Sequence, residues 1–259
     1  MSESEAYIAA LITLHLGLER QGPGDEQCSR DILAQLPALS EAPLILDAGC
    51  GTGAAALLLA AYHSRSRVIA IDLSNDFLDT LRREAERRGL GERLRCVQGD
   101  MLQPAVPAKS LDLIWSEGAV YAVGFERALR EWKALLKPCG LVVVSEMSWF
   151  SENIPTEASD FWRPAYPGME TEEGNRCRAE AAGYRVLATR RLPTQAWWDS
   201  YYSPLLGKLD AFADTTDSVL RAVLEETREE ITLFRRYAQY YGYTFYILQS
   251  TAGHAGDSR

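Results

Sequence analysis

The sequence predicts an α/β fold with a doubly wound, mostly parallel sheet, and three observations lead there. Short apolar runs, "LILDA" at 44–48, "RVIAID" at 67–72, "LDLIWS" at 111–116 and "LVVVSE" at 141–146, are spaced so that helices can fill the gaps. Runs of that kind suit strands covered on both faces by helices. The first run enters a glycine-rich turn, Gly49-Cys50-Gly51-Thr52-Gly53, which opens a helix. Acids stand at or near the ends of three successive strands: Asp47, Asp72 and Asp100.

The elements follow in order. Residues 6–20 read as a helix with Ile8, Leu11, Ile12, His15 and Leu18 on one face, and "QGPG" at 21–24 breaks it. A second helix spans about 25–36 and leads into the strand at 44–48. The helix after the glycine turn covers 53–62, and strand 67–72 is followed by a helix over 75–88 with Ser74 as N-cap and Gly89 closing it. Strands "LRCVQG" and "LDLIWS" come next, then a helix over 125–137 that buries Phe125, Leu129, Trp132 and Leu136. "KPCG" stops that helix before the strand at 141–146. Residues 147–169 read mostly as loop, 170–182 as helix and 184–192 as strand. An insertion over 193–241 carries a long amphipathic helix, and "YTFYILQS" is the last strand. The expected organisation is one domain over 1–259: N-terminal helices at 1–40, a half built on the glycine turn at 41–150, a second half with the insertion at 151–249, and a disordered tail at 250–259.

Composition narrows the function classes. A net charge of −9 and a pI near 5.0, with no long Lys/Arg run, disfavour nucleic acid and anionic membrane as partners. No run of eighteen apolar residues suggests a membrane span, and "MSESEAYIAA" lacks a signal-peptide pattern, so the expected location is cytoplasmic. Five cysteines, odd in number and without a C-x-x-C pair, fit reduced thiols. No His/Asp/Glu cluster has metal spacing, so no metal is expected.

The glycine turn lets backbone approach a ligand where side chains would collide. Asp72 is placed to accept ribose hydroxyls, and Asp100 with Met101 to meet an adenine. Gly49, Gly51 and Ala54 also satisfy the dinucleotide fingerprint, so a nicotinamide-dependent oxidoreductase is a rival reading. Asp47 argues against it, because an acid beside the turn suits an amino group and repels a pyrophosphate. Asp47–Gly53, Asp72, Asp100 and the segment 116–121 together resemble the successive motifs of class I S-adenosylmethionine-dependent methyltransferases. "ERQGPG", "SEGAVYAVGFER" and "SEMSWF" are similar to a bacterial subgroup of the ubiquinone/menaquinone-biosynthesis type.

The resemblance implies a Rossmann-like seven-stranded sheet of order 3-2-1-4-5-7-6 with its last strand antiparallel, under a helical and loop cap. It implies S-adenosyl-L-methionine held by Gln21, Asp47, Gly49, Cys50, Gly51, Gly53, Asp72, Leu73, Asp100, Met101 and Ser116. The expected reaction is methyl transfer to a small-molecule acceptor, with a non-catalytic S-adenosylmethionine-binding protein as a further rival and a homodimer left open. Glu117, an acid at the mouth of a buried strand, is the candidate base or acceptor-orienting group, with Tyr121 beside it. The ring-rich segments after the fifth and sixth strands nominate Trp149, Phe150, Tyr166, Trp197 and Tyr201 for an apolar acceptor pocket, with Glu146 nearby. His15 reads as a hydrogen-bonded core histidine before it reads as a base.

Overall fold

The computed structural model describes residues 3–251. Two helices, α1 (Glu3–His15) and α2 (Glu26–Gln35), precede the first strand. Then come β1 (Leu44–Ala48), α3 (Ala54–Tyr62), β2 (Arg67–Asp72), α4 (Asn75–Arg87), β3 (Leu94–Gln98) and β4 (Leu111–Ser116). A 3-10 turn at Val120–Ala122 leads to α5 (Phe125–Lys133) and the long β5 (Leu136–Trp149). The second half comprises α6 (Thr156–Ala165), β6 (Glu170–Thr171), α7 (Glu172–Ala181) and β7 (Tyr184–Arg191). The insertion supplies α8 (Thr194–Trp197), a π-helical turn (Trp198–Tyr202), α9 (Ser203–Ala211) and α10 (Ser218–Tyr237), and β8 (Tyr241–Ser250) ends the sheet.

The strand order is 3-2-1-4-5-8-7, with two-residue β6 paired to the end of β5. With β6 left out of the numbering this is the expected 3-2-1-4-5-7-6. β1 to β5 run parallel, and β8 lies antiparallel between β5 and β7. Both sheet faces are covered, and the alternation of side chains along each strand sorts residues between two cores. Leu113, Trp115, Val143 and Phe245 face the core shared with α2, α3 and α10. Ile114, Val142, Val144 and Tyr246 face the other, with Leu129 and Trp132 of α5. Ser74 caps α4 as expected, its hydroxyl accepting from the Phe77 N–H at 3.3 Å, and Gly89 takes a left-handed conformation just past the end.

Several boundaries differ from the sequence reading. α1 stops at His15, because Gly17 adopts a φ of 85° and turns the chain before "QGPG" is reached. α5 ends at Lys133, so Leu136 belongs to β5, and "KPCG" lies within that strand instead of preceding it. β5 runs on to Trp149 because Ser148 and Trp149 still pair with Gly242 and Tyr241 of β8. The segment read as loop contains α6, with Pro155 before its first turn and Pro164 in its last, where missing N–H groups cost least or break only the final bonds. Ser250 closes β8, and positions 252–259 of the expected tail lie outside the described residues. Among the described residues no helix is long and apolar enough to cross a membrane.

Candidate active site

A cavity of about 870 Å³ opens at the carboxyl ends of β1, β2, β4 and β5, where the strand order reverses. Ligands of doubly wound sheets bind at that switch point. One half is floored by the glycine turn; the other is walled by α1, α6, α10 and the ends of β5 and β8.

Most residues expected to hold the cofactor meet in the first half. Asp47, Gly49, Cys50, Gly51, Asp72, Leu73, Asp100, Met101 and Gln21 all line it. Asp47 is 1% exposed, and its Oδ2 has no hydrogen-bond partner. Burial, reinforced by the neighbouring Glu117 charge, pushes its carboxyl well above the usual range, with the Ala56 backbone giving partial relief. Asp72 accepts from the Gly51 N–H at 2.8 Å and the Ser74 N–H at 2.9 Å, which sets the curvature of the turn. Leu73 is 71% exposed, an apolar side chain laid open on the cavity wall. Asp100 bonds the Leu102 N–H at 2.8 Å, and the Met101 carbonyl accepts from the Trp132 indole at 2.9 Å.

Two of the residues expected to hold the cofactor, Gly53 and Ser116 (the latter through its backbone carbonyl), do not line the cavity. The φ of Gly53 is 90°, and a Cβ there would collide with Leu81 of α4, so this glycine serves helix packing. Ser116 is fully buried, and its hydroxyl donates to the Ala48 carbonyl at 2.8 Å, stitching β4 to β1 away from the cavity lining.

The "QGPG" segment is fastened over the glycine turn. Gln21 Oε1 accepts from the Thr52 N–H at 2.8 Å, and Gln21 Nε2 donates to the Leu18 carbonyl at 3.0 Å. A Cβ at Gly51, where φ is 54°, would press on that same Gln21 oxygen, so the turn is glycine partly to admit the lid. Arg20 donates to Glu117 Oε2 at 2.9 Å. Glu117 Oε1 accepts from the Ser29 hydroxyl and from the Trp115 indole, each at 2.8 Å. Both Glu117 oxygens are therefore engaged: the acid lines the cavity and ties lid, α2 and β4 together, a structural duty beyond the base or acceptor-orienting role expected of it.

The second half collects rings. Tyr166, Trp197 and Tyr201 line the cavity as expected, and Tyr121 does so 49% exposed, edge-on to Tyr166. Trp149 and Phe150 do not. The extension of β5 turns Trp149 into the core against Tyr241, and Phe150 lies under the Arg191 guanidinium, 4.1 Å from its ring centroid. His15 is buried, and Nδ1 sits 2.8 Å from the Leu11 carbonyl, which can only accept. Nδ1 thus carries the proton, and Nε2 accepts from the Tyr201 hydroxyl at 2.9 Å. Burial lowers the pKa of the imidazole, so the ring is neutral. Sequence reasoning missed Tyr7, Phe161, Tyr243, Glu226 and Glu230, all of which line this half. The only signal for the acids was their i, i+4 spacing on an amphipathic helix, which ordinarily marks a solvated face.

Glu146, at the carboxyl end of β5, is 1% exposed, and neither carboxylate oxygen has a hydrogen-bond partner of normal geometry. Burial raises its pKa to about 8, with the Tyr166 hydroxyl and Arg178 offsetting only part. It lies behind the wall, close enough to act electrostatically on Tyr121, Tyr166 and Tyr243. Among the described residues no group of three or more His, Cys, Asp or Glu could hold a metal ion.

Comparison with known proteins places this geometry. The methyltransferase domain family matches residues 45–140. Malonyl-[acyl-carrier protein] O-methyltransferase of Methylovorus sp. (strain MP688) is 33% identical over 124 residues, covering 45% of this chain and 41% of that protein. The chain spans less than half the length of the first curated relatives it matches. Among solved structures, the [4+2]-cyclase SpnF superposes with a TM-score of 0.76 at 20% identity, covering 98% of this chain and 97% of the other. An S-adenosylmethionine-dependent methyltransferase of Geobacter sulfurreducens, crystallised with S-adenosyl-L-homocysteine, gives 0.75 at 18% identity, covering 93% and 97%. At such identities the structural likeness speaks for fold, and the cyclase shows that one fold serves more than one chemistry. Residues 45–140 thus match the methyltransferase domain family, and the chain as a whole shares the fold of these solved structures.

Proposed function

We propose that the protein transfers a methyl group from S-adenosyl-L-methionine to a small-molecule acceptor bound in the ring-lined half of the cavity. The observation that carries the reading is Asp47: a buried carboxyl with an orphaned oxygen, beside a glycine turn, bears its charge at low cost only when a cation completes it. The residues present fit the cofactor. Asp47 would hold its ammonium, Asp72 its ribose, and Leu73, Asp100 and Met101 its adenine. When bound, it supplies a methyl group already activated by a sulfonium charge.

The protein's own part is alignment and exclusion of water, and holding two reactants in register can supply about 7–11 kcal/mol of barrier reduction. Gln21 and Arg20 close the lid, and Glu117 clamps it. His15 is a neutral base at the wall, polarising the Tyr201 hydroxyl. Membership of the ubiquinone/menaquinone-type subgroup is part of this reading, supported by the "ERQGPG" lid and its latch. The oxidoreductase alternative is not favoured: an orphaned acid beside the turn would oppose a pyrophosphate. Thermal melting tests the reading. S-adenosyl-L-homocysteine is expected to raise Tm and NAD to leave it unchanged; the reverse pattern sinks the proposal.

The clamp has its own test. Arg20 and Glu117 side chains are 11% and 8% exposed, so removing either partner strands a buried charge. Arg20→Met and Glu117→Gln are each expected to cost about 2 kcal/mol of stability, and the double variant less than the sum by about 1–3 kcal/mol. Denaturant titrations of the four proteins measure this. A strictly additive cycle would show that the pair holds nothing.

A further inference from the structure

We propose that the methyl acceptor is an amine carried on an apolar, ring-sized body, bound with its ammonium toward Glu226 and Glu230; this names the substrate class of the site above and rests on that reading. The charge inventory of the acceptor half is one-sided. Arg20 is the only formal cation among the described residues lining the cavity, and Glu117 already neutralises it. Burial lowers the His15 pKa and so disfavours its cationic form. A carboxylate or phosphate entering this space would find acids and no free cation, and an anion drawn from water without a paired donor is costly.

An ammonium meets the opposite conditions. Glu226 and Glu230 lie one turn apart on α10 and both face the cavity. Each accepts one phenolic hydrogen bond: Tyr7 donates to Glu226 at 2.6 Å and Tyr202 to Glu230 at 2.7 Å, which leaves further acceptor capacity on both. Although Glu230 is only half-buried by surface, the packing around it raises its pKa, so a cation arriving there relieves a strained charge. Ring faces and phenolic oxygens supply the rest. Tyr121, Tyr166, Tyr201 and Tyr243 line the space with ring surface and phenolic oxygens that suit a cation on an apolar body, and Trp197, stacked between Tyr243 and Phe234, backs them.

The arrangement also balances protons. An ammonium has no free lone pair, so one N–H proton must leave before methylation. Glu230 is placed to take it: the proton passes from nitrogen to the carboxylate, the nitrogen lone pair forms the new N–C bond as the S–C bond breaks, and the S–C electron pair stays on sulfur. The methylated nitrogen departs as the cation.

The experiment uses the full chain saturated with S-adenosyl-L-homocysteine, so that a probe cannot settle on Asp47. Three probes of one shape, phenethylamine, phenethyl alcohol and hydrocinnamate, are titrated by ligand-observed NMR. The amine is expected to bind about tenfold more tightly than the alcohol, and hydrocinnamate most weakly. In the Glu226→Gln/Glu230→Gln double variant the preference for amine over alcohol should vanish while alcohol binding is kept. The S-adenosyl-L-homocysteine melting shift confirms that this variant is folded. Equal or tighter binding of the alcohol or the acid, no binding by any probe, or a preference that survives in the double variant overturns the proposal. Absence of S-adenosyl-L-homocysteine binding, measured first, overturns the methyltransferase reading itself and is thereby distinguished.

Discussion

Asp47→Asn should weaken S-adenosyl-L-homocysteine binding about a hundredfold while leaving the ligand-free protein as stable as before, or more so. The two effects have opposite signs because one atom is responsible for both. In the free protein the Asp47 carboxylate is 1% exposed with Oδ2 unpartnered, so its charge is a liability whose pKa burial has pushed up. An amide of the same shape keeps one oxygen for the Ala56 backbone and removes the charge. In the complex the same charge faces an ammonium, and deleting one member of a buried pair costs about 3–5 kcal/mol, of which the asparagine oxygen recovers part. Calorimetry gives the affinity and denaturant unfolding the stability. Loss of both together would mark Asp47 as a structural acid; loss of neither would remove the basis of the cofactor assignment.

Glu146→Gln should invert its effect on stability across the pH range. In the unfolded chain this carboxyl titrates near 4.5, and in the folded protein near 8. Between those values the folded state keeps a proton that the unfolded state has released, so stability falls as pH rises, by up to about 1.4 kcal/mol per pH unit. The contribution is fully present below 4.5 and lost as pH climbs through about 8. That gap, at about 1.4 kcal/mol per pH unit, comes to roughly 5 kcal/mol as an order of magnitude. Glutamine never ionises but buries an amide, at a cost of about 1–3 kcal/mol. The variant is therefore expected to be less stable than the parent at about pH 5 and more stable, by about 2 kcal/mol or more, at about pH 9. Carboxylates such as Asp112 and Glu172, whose pKa values are lowered by Lys137 and Arg191, bend both curves in the other direction, so the difference between the two proteins is the quantity to measure. Parallel curves would show that Glu146 is not the group that titrates.

How much could be read in advance followed the range of the interactions involved. β1, β2 and β4 were legible to the residue, because a buried parallel strand is written in consecutive apolar side chains. The acids at strand ends were legible for the same reason: their place is fixed by the strand that carries them. Glu117 was found but its clamp was not foreseen, since that depends on Arg20, 97 residues away, and on Ser29 in a second helix. Trp149 and Phe150 were misplaced because nothing local announces that β5 continues to 149; that depends on pairing with β8 nearly a hundred residues later. Glu226, Glu230, Tyr7 and Tyr243 escaped because α1, α10 and β8 meet only in three dimensions. Ser116 and Gly53 obeyed their motif positions but spent their special chemistry on strand and helix packing.

The N-terminal segment is at once a wall and a shutter. Tyr7, Ile8, Leu11, Ile12 and His15 contribute to the outline that a guest must match, and the same stretch of chain continues into the latch at Arg20 and Gln21. A swing that frees Gln21 from Thr52 and Arg20 from Glu117 thus dismantles part of the mould as it opens the exit. On the proposed reading, selectivity and release would be mechanically yoked, and a substitution on the inward face of α1 that sharpens discrimination is expected also to reset how fast the chamber empties.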